Sequence, residues 1–383
     1  MQRFGFEILE EESMMAATAA DFASRRLAGG AAERDRTGRF PLEEIAELGA
    51  LGLLAMKVSP EDGGAGASNV GYALVMQAIA AACASTAVIL ASSNLTARVL
   101  ADHGTPAQRR RWLGPYTRGA LGPASFALSE PLGGSDAAHV RTRARLDGET
   151  WVLDGEKAWI TSGSHAGFHL VFARTDGDGK DGLSCFLVEA GAPGLLVGKE
   201  EDKMGQRSSG TAALAFDGCR VPADHLIGRR GAGYVMALSA LGAGRVGIAA
   251  LSLGIAEAAY AAGVAYARER RVFGQALIEF QNTQFVLADS RTELDAAWLL
   301  TLRAARALDG GARASAETSM AKLFATEACG RVVDRMVQLH GGYGYSRAFP
   351  VERLYRDARV TRIYEGTSEI QRLVIAREIV REG

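Results

Sequence analysis

The sequence predicts an α+β protein in which an antiparallel β-domain lies between two helical domains. Apolar residues recur at helical spacing up to about residue 120, short segments rich in β-forming residues follow, and long Ala- and Leu-rich helical patterns return from residue 231. Strands that are gathered in one part of a chain, rather than alternating with helices, favour an antiparallel sheet. The predicted domains are an N-terminal helical domain, a middle β-domain and a C-terminal helical domain, covering residues 1–120, 121–228 and 229–383.

The N-terminal domain is expected to bury an uncharged helical stretch. Pro41 begins a run of helically spaced apolar residues, which ends at the breaker-rich SPEDGGAGAS of residues 59–68. Residues 71–97 then contain no charged side chain, but they consist of Ala, Ser, Thr, Asn and Gln around a few large aliphatic residues. Because a membrane-spanning helix needs about 20 predominantly apolar residues, we interpret this stretch as a buried helix or helical pair.

The middle domain contains the strand-like segments. They are ETWVLDGEKAWITSG (149–163), HLVFART (169–175) and LSCFLVEA (183–190), each bounded by Gly, Asp or Pro. Asp-Gly-Glu at 154–156 lies between two β-forming runs and predicts a hairpin turn.

Charge and cysteine content narrow the functional classes. The 383 residues include 43 Lys and Arg against 44 Asp and Glu, which excludes a nucleic-acid or membrane-surface partner held by net charge. Four scattered cysteines without paired spacing argue against a zinc ribbon or a disulfide framework, and for a reducing compartment. Only six of the basic residues are lysines, and we interpret this arginine bias as compositional rather than functional.

Neither end of the chain resembles a targeting segment. The N-terminus, MQRFGFEILEEE, turns acidic within a few residues and has no apolar signal core. The C-terminus, IVREG, lacks an address of the Ser-Lys-Leu type. We therefore expect a cytoplasmic protein.

Two motifs match the patterns of dinucleotide-binding and metal-binding sites but lack the surrounding sequence that such sites require. Gly242, Gly244 and Gly247 form G-x-G-x-x-G, but Ala-rich helical sequence surrounds them and no acidic residue follows at 262–267, so we favour close helix packing over dinucleotide binding. His165 and His169 lie in the β-rich region, where their spacing only places them on one side of a strand, so we predict no metal site. A serine-hydrolase elbow, G-x-S-x-G, is absent from the sequence.

The most informative carboxylate is Glu365. Ser368 and Gln371 have the spacing of a capping box, which predicts a helix that starts there. Glu365 then stands just before a helix, beside Gly366, where the backbone can approach a ligand closely. The residue alone could equally serve to complement the helix dipole.

Three other segments are suited to holding a flat, phosphorylated cofactor. Residues 126–136, FALSEPLGGSD, combine turn formers and small residues that expose backbone N–H groups. Trp159 and Thr161 would share one strand face and offer a ring and a hydroxyl, although an ordinary half-buried strand would look the same. The glycines of QLHGGYGY, 338–345, permit phosphate approach or a plain helix C-cap.

Taken together and in this order, these segments resemble the acyl-CoA dehydrogenase family over essentially the whole chain. The matching motifs are FALSEPLGGSD, KAWITSG, ARERRVFGQALIEFQ, QLHGGYGY and RLYRDARVTRIYEGTSEIQR. The resemblance implies that the C-terminal domain is a four-helix bundle and that FAD lies where the three domains meet. It also implies a homotetramer, a dimer of dimers in which a neighbouring subunit completes each flavin site.

The same resemblance implies roles for individual residues. Glu365 would be the catalytic base, Trp159 would shield the isoalloxazine ring, and Thr161 would hydrogen-bond near its reactive nitrogen. The residues implied to contact this part of the cofactor are Phe126, Leu128, Ser129, Gly134, Ser135, Trp159 and Thr161, and those implied to touch the FAD on the Glu365 side are Thr367 and Glu369. Those implied to reach the diphosphate and adenosine from the adjacent subunit are Arg270, Phe273, Gln281, Gln338 and Gly342. Those implied to contact the substrate are Ser135, Arg245 and Gly366.

Two glycines refine this assignment. Some family members place the base one residue before the arginine that matches Arg245; here that residue is Gly244, which leaves Glu365 as the candidate base. Gly242 stands where the family often has an Asp that reaches the adenine of CoA, so the grip on the CoA nucleotide is expected to be weaker.

The implied reaction is α,β-dehydrogenation of an acyl-CoA in fatty acid metabolism. Glu365 would take the α-proton, flavin N5 the β-hydride, and electron-transferring flavoprotein the electrons. Burial against flavin and acyl chain is expected to raise the pKa of Glu365 to about 6–7, near the working pH. The alternative is an acyl or aminoacyl thioester on a carrier protein, which presents pantetheine without adenine.

Overall fold

The computed structural model describes residues 2–3 and 5–382 and has a helical part, a sheet and a second helical part along the chain. After a short hairpin of β1 (Gln2–Arg3) and β2 (Phe6–Glu7), the chain is helical up to residue 117. These helices are α1 (Glu10–Phe22), α2 (Ala31–Thr37), α3 (Leu42–Ala50), α4 (Asn69–Ala82), α5 (Ala84–His103), α6 (Pro106–Gln108) and α7 (Gly114–Thr117).

The uncharged stretch of the N-terminal part forms the predicted buried helical pair, α4 and α5. The Oγ atom of Ser68 accepts a hydrogen bond from the Gly71 N–H at 2.9 Å and caps the start of α4. Cys83 separates the two helices because its backbone is extended, with φ −154° and ψ 102°. Most side chains of both helices are buried, so their lack of charge reflects burial in the core.

The middle part is one sheet whose strands pair in the order β10-β7-β6-β4-β5-β9-β8, with β3 beside β6. Its strands are β3 (Ala124–Ala127), β4 (Arg143–Asp147), β5 (Thr150–Thr161), β6 (Phe168–Arg174), β7 (Leu183–Glu189), β8 (Leu195–Glu200), β9 (Thr211–Pro222) and β10 (Leu226–Ile227). The antiparallel prediction holds for all these pairs except β3 and β4 against β6, which are parallel.

The parallel pairs explain the position of the loop at residues 128–142. Strand β3 pairs with residues 168–171 of β6, and β4 begins at the Arg143–Arg174 pair further along the same strand. Because both strands run in one direction beside β6, no tight hairpin can join them. The chain between them therefore forms a long connecting loop rather than a tight turn.

The hairpin turn predicted at 154–156 is wrong, since these residues continue β5. A register shift between Leu153 and Gly155 marks a bulge there, and the β4–β5 turn instead lies between Asp147 and Thr150. Gly155 has φ +140°, and a Cβ on it would lie 2.7 Å from the Thr142 Cα. Close backbone approach, rather than chain reversal, requires this glycine.

The C-terminal part is built around three long helices. They and their neighbours are α8 (Gly233–Glu269), a hairpin of β11 (Arg271–Val272) and β12 (Gln275–Ala276), α9 (Gln281–Asp309), α10 (Ser315–His340), α11 (Val351–Arg359) and α12 (Ser368–Glu382). Helices α8, α9 and α10 pack on one another, and α12 packs on α10, which agrees with the expected helical bundle. Helix α8 also packs on α4 and α5 and so joins the two helical parts.

The glycine motif of the sequence lies inside α8, and close helix packing accounts for its last glycine, Gly247. A Cβ on Gly247 would lie 2.5 Å from the Tyr72 hydroxyl, and one on Gly254 would lie 2.4 Å from the Gln77 carbonyl oxygen of α4. Among the residues that the structure describes, α8 is the one helix long and apolar enough to cross a membrane by length and composition. Its most apolar 18-residue window is 61% buried inside the protein, as in a core helix.

Candidate active site

Glu365 lies on a turn that connects the end of α11 to α12. Its φ is +50° and that of Gly366 is +91°, so two consecutive residues adopt left-handed backbone. The predicted capping box is wrong: Thr367 caps α12, its Oγ1 accepting from the Ile370 N–H at 3.3 Å, and Ser368 is the first helical residue. The Ser368 hydroxyl donates to Glu327 of α10 at 2.7 Å instead.

The Glu365 carboxylate is enclosed on the side of α8. Its Oε2 atom is closed off from solvent and has no hydrogen-bond partner among the residues that the structure describes. A Cβ built on Gly244 would lie 2.8 Å from this atom and 3.5 Å from the Leu95 Cδ1. Burial raises the pKa of Glu365 to about 7, and the positive charges of Lys322, Lys57 and Arg245 oppose that rise.

Three cations therefore face one carboxylate. Arg245, 8% exposed on α8, donates through Nη1 to the Ser319 hydroxyl of α10 at 3.0 Å. Lys322, one turn further along α10, is fully buried and donates to the Gly366 carbonyl at 2.8 Å. Lys57 lies above the Tyr72 ring, 4.8 Å from its centroid. This arrangement can hold a carboxylate that is poised between its charged and neutral forms near neutral pH.

A second group of predicted residues lies on the loop at 128–142 and the end of β5. The Ser129 carbonyl accepts from the Ala158 N–H at 2.9 Å, which fixes the loop to the strand. The buried ammonium of Lys157 bonds to the Leu128 carbonyl at 3.2 Å and to Glu130 at 2.9 Å. These contacts hold the loop in place while its tip stays open to solvent.

The predicted flavin residues of this group differ in exposure. Leu128 is buried, and Phe126 is half-buried with its ring 4.8 Å from that of Phe172. Trp159 lies at a register shift of β5 with φ +60° and is 63% exposed. A large ring held out of the core on a left-handed residue is costly, and it indicates a surface that is built to cover something flat. Gly134 and Ser135 are exposed, while Ser129 and Thr161 are half-buried.

The third group borders a cleft at the end of α8 and α10. Arg270, Gln338 and Gly342 all line this cleft of about 510 Å³. The structure thus brings together three of the residues implied for the diphosphate and adenosine. Phe273, at the tip of the β11–β12 hairpin, is 97% exposed with φ +49°. Gln281 is exposed at the start of α9.

Family models for the N-terminal, middle and C-terminal domains of acyl-CoA dehydrogenases match residues 9–120, 125–219 and 231–380. The chain belongs to the acyl-CoA dehydrogenase family. A relative named short-chain specific acyl-CoA dehydrogenase, mitochondrial, from Mus musculus, is 46% identical over 378 residues, which cover 98% of this chain and 91% of the relative.

Solved structures agree with this family. Butyryl-CoA dehydrogenase from Megasphaera elsdenii superposes with a TM-score of 0.96 at 37% identity and covers 98% of this chain and 100% of its own. A chain from work on the electron transferring flavoprotein of Acidaminococcus fermentans superposes with a TM-score of 0.96 at 38% identity. The match covers 98% of this chain and 99% of that one. The protein is thus an FAD-dependent oxidoreductase that dehydrogenates acyl-CoA thioesters.

The residues present fit FAD. The exposed Trp159 indole offers a face for the ring system, and the half-buried Thr161 hydroxyl follows on the same strand. The cleft beside Arg270 offers a guanidinium to a diphosphate. On the other side of the site, the Glu365 Oε2 has no partner within the described part of the chain, as expected of a group that a ligand meets.

Sequence reasoning missed the lysines of this site. Lys57 and Lys322 face Glu365, and Lys157 anchors the loop at 128–142. We interpreted the arginine bias as compositional only. Because arginine is the common cation in this chain, a lysine within an apolar helical pattern, such as Lys322 in SMAKLFATEA, indicates a position where a lysine in particular is needed. Lysine presents a compact charge at the end of a long apolar stem, which suits a buried single-carbonyl contact better than a guanidinium.

Proposed function

We propose that Glu365 removes the α-proton of a short-chain acyl-CoA thioester. The observation that carries the proposal is the enclosed, unpartnered Oε2 of Glu365, whose pKa is raised to about 7. A base is most effective when its pKa lies near the working pH. When bound, FAD supplies the acceptor for the β-hydride.

The surrounding residues would hold the reacting atoms in place. Arg245 and Gly366 lie around Glu365 and would border the thioester, as the family resemblance implies for both. Negative charge that develops on the thioester oxygen needs fixed donors, and the Glu365 N–H is one that the resemblance assigns. The three cations would favour the ionised form of Glu365 before proton transfer.

The short chain length is supported by the relative from Mus musculus and by Tyr72. The Tyr72 ring fills the space beside Gly247, one helical turn from Gly244, and its side chain is 2% exposed. Since a bulky side chain occupies the region next to the base, we expect butyryl-CoA to reduce the flavin at least about tenfold faster than octanoyl-CoA. Anaerobic bleaching of the flavin measures both rates. A preference for octanoyl-CoA would contradict the proposed chain length.

The same bleaching experiment distinguishes CoA from a carrier. Apart from its chain neighbours and the backbone of its own helix, no described atom lies within 4 Å of a Cβ built on Gly242. This position therefore has room for a side chain but offers none to bind adenine. We expect butyryl-pantetheine to work within about 100-fold of butyryl-CoA, or about 2.7 kcal/mol. If a butyryl-carrier protein were preferred over butyryl-CoA by more than that factor, the substrate would be the carrier thioester.

The pH dependence of kcat/KM should report Glu365. Because its pKa is raised to about 7, the base is increasingly protonated and inactive as pH falls through 7. We expect kcat/KM for butyryl-CoA to rise with pH and to level off above about pH 8. Flavin reduction between pH 5.5 and 8.5 measures it, with FAD absorbance at each pH as the control. Activity that stays constant down to pH 5.5 would argue against this base.

We further propose a homotetramer that works in the cytoplasm and passes electrons to electron-transferring flavoprotein. The exposed Phe273, Gln281 and Arg270 support assembly, because the family resemblance assigns them to the cofactor of an adjacent subunit. The four free, buried cysteines are consistent with a reducing compartment.

Arg270→Ala tests the assignment across subunits. The change should weaken FAD binding by about tenfold or more, since a charge-assisted contact to the diphosphate is lost. Released FAD is measured by fluorescence after gel filtration, with light scattering for the oligomeric state. The matched control is Arg268→Ala, an exposed arginine on the last turn of α8. A monomeric wild type that retains FAD would contradict the assignment.

A further inference from the structure

One of the three cations beside the base, Lys322, also contacts the turn that carries Glu365. Lys322 lies in the middle of α10 and is fully buried. Its Nζ atom donates to the Gly366 carbonyl at 2.8 Å. Among the described residues, no carboxylate lies within ion-pair distance of this ammonium group.

A buried ammonium without an ion-pair partner is costly to fold around. Burial lowers the pKa of Lys322 to about 8, and the charge of Glu365 is the main influence that opposes this fall. The lysine in turn is the first of the charges that oppose the rise of the Glu365 pKa. The two groups therefore stabilise each other's charged forms while the lysine bonds to the neighbouring carbonyl rather than to the carboxylate.

We infer that Lys322 is a positioning residue for the Glu365 base, fixing the Glu365–Gly366 turn through the Gly366 carbonyl and keeping the carboxylate ionised. This inference rests on the proposed function. It deepens that function by assigning the orientation of the base, and part of the stabilisation of its charge, to a residue on α10.

The turn needs such a fixed point because both of its residues have positive φ. A second donor reaches the same carbonyl: the Gln371 Nε2 lies 2.9 Å from the Gly366 oxygen. Gln371 is fully buried and uncharged. The two donors thus share the anchoring role, and only Lys322 adds a charge.

Other charged and titratable groups around Glu365 and Lys322 determine how far the Glu365 pKa shifts when Lys322 is replaced. Those acting on Glu365 are Lys57, Arg245 and Lys322, and its own charge also raises the pKa of Tyr72 and Tyr364. Those acting on Lys322 are Glu365, Arg245, Glu327 and Glu369. Since Lys57 and Arg245 remain when Lys322 is replaced, its removal should shift the Glu365 pKa without abolishing ionisation.

The test compares the pH profile of kcat/KM in four FAD-loaded enzymes with butyryl-CoA. Lys322→Met should move the acid limb upward by about 1 pH unit, with activity recovering at high pH. Lys322→Arg keeps the charge and should return the limb towards its wild-type position. The matched control, Gln371→Met, removes a donor from the same carbonyl without changing charge, so it should lower the rate and leave the limb in place.

Each result has one meaning. An acid limb in Lys322→Met that coincides with the wild type, or an equal shift in Gln371→Met, would overturn the inference and leave only a structural anchor. If Lys322→Met does not fold, Lys322→Gln serves as the second neutral variant, with the same expected shift. A wild type that butyryl-CoA does not reduce would instead count against the proposed function.

Discussion

Glu365→Gln should give a folded, yellow protein whose flavin is not reduced by butyryl-CoA. The amide keeps the size of the side chain but cannot accept the α-proton. Loss of a general base typically costs about 10²- to 10⁴-fold, and we expect the upper part of this range because proton and hydride leave together. Anaerobic stopped-flow absorbance measures reduction, and the FAD spectrum reports binding.

Glu378→Gln is the matched control, because it makes the same chemical change on α12 away from Gly244 and the cation group. Its half-buried carboxylate pairs with Arg381 at 2.9 Å, so we expect near wild-type reduction. Should Glu365→Gln be reduced at a comparable rate, Glu365 would not be the base and the proposed mechanism would be wrong.

Moving the base to α8 should restore part of the lost activity. A Cβ on Gly244 would lie 2.8 Å from the Glu365 Oε2, so side chains from these two positions meet in one place. The receiving background must therefore be Glu365→Gly, which frees the space and suits a φ of +50°. We expect Glu365→Gly alone to slow flavin reduction by about 10³-fold or more. Adding Gly244→Glu to this background should raise the rate of flavin reduction at least about tenfold above that of Glu365→Gly.

The control for the relocated base is Gly244→Gln in the same Glu365→Gly background, which fills the space without a proton acceptor. It should show no recovery. Equal rates for the Glu and Gln variants would mean that filling the cavity, rather than a carboxylate, restores the reaction. Gly244→Glu alone should bind FAD poorly or unfold at lower temperature, because two carboxylates would then crowd one site.

Much of the fold and site could be predicted because the patterns are local. The helical pair α4 and α5, the strands at 169–175 and 183–190, and the packing role of Gly247 all follow from periodicity over a few residues. The motifs around Phe126, Trp159 and Glu365 are contiguous. Together they indicate the family and its FAD, and they lead to the proposal of Glu365 as the base.

Other features are not local, and their prediction was wrong or missing. The turn expected at 154–156 is a bulge because Gly155 meets the backbone of Thr142, which follows a long loop. The capping box predicted at Ser368 does not form, because the Ser368 hydroxyl donates to Glu327 on α10. The spacing of Ser368 and Gln371 predicted that the Gln371 side chain would cap the start of its own helix. In the structure this side chain instead donates to the Gly366 carbonyl.

The sequence alone therefore determined the family and the residues that are proposed to carry the chemistry: a glutamate before a helix, a tryptophan on a strand and an ordered set of glycines. The tertiary structure decided the state of the glutamate. Its pKa depends on burial and on Lys57, Arg245 and Lys322, which lie in three separate parts of the chain. Electrostatic interaction depends on distance in space and on exclusion of water, and only the packing of α8, α10, the 365–366 turn and the segment that carries Lys57 sets both.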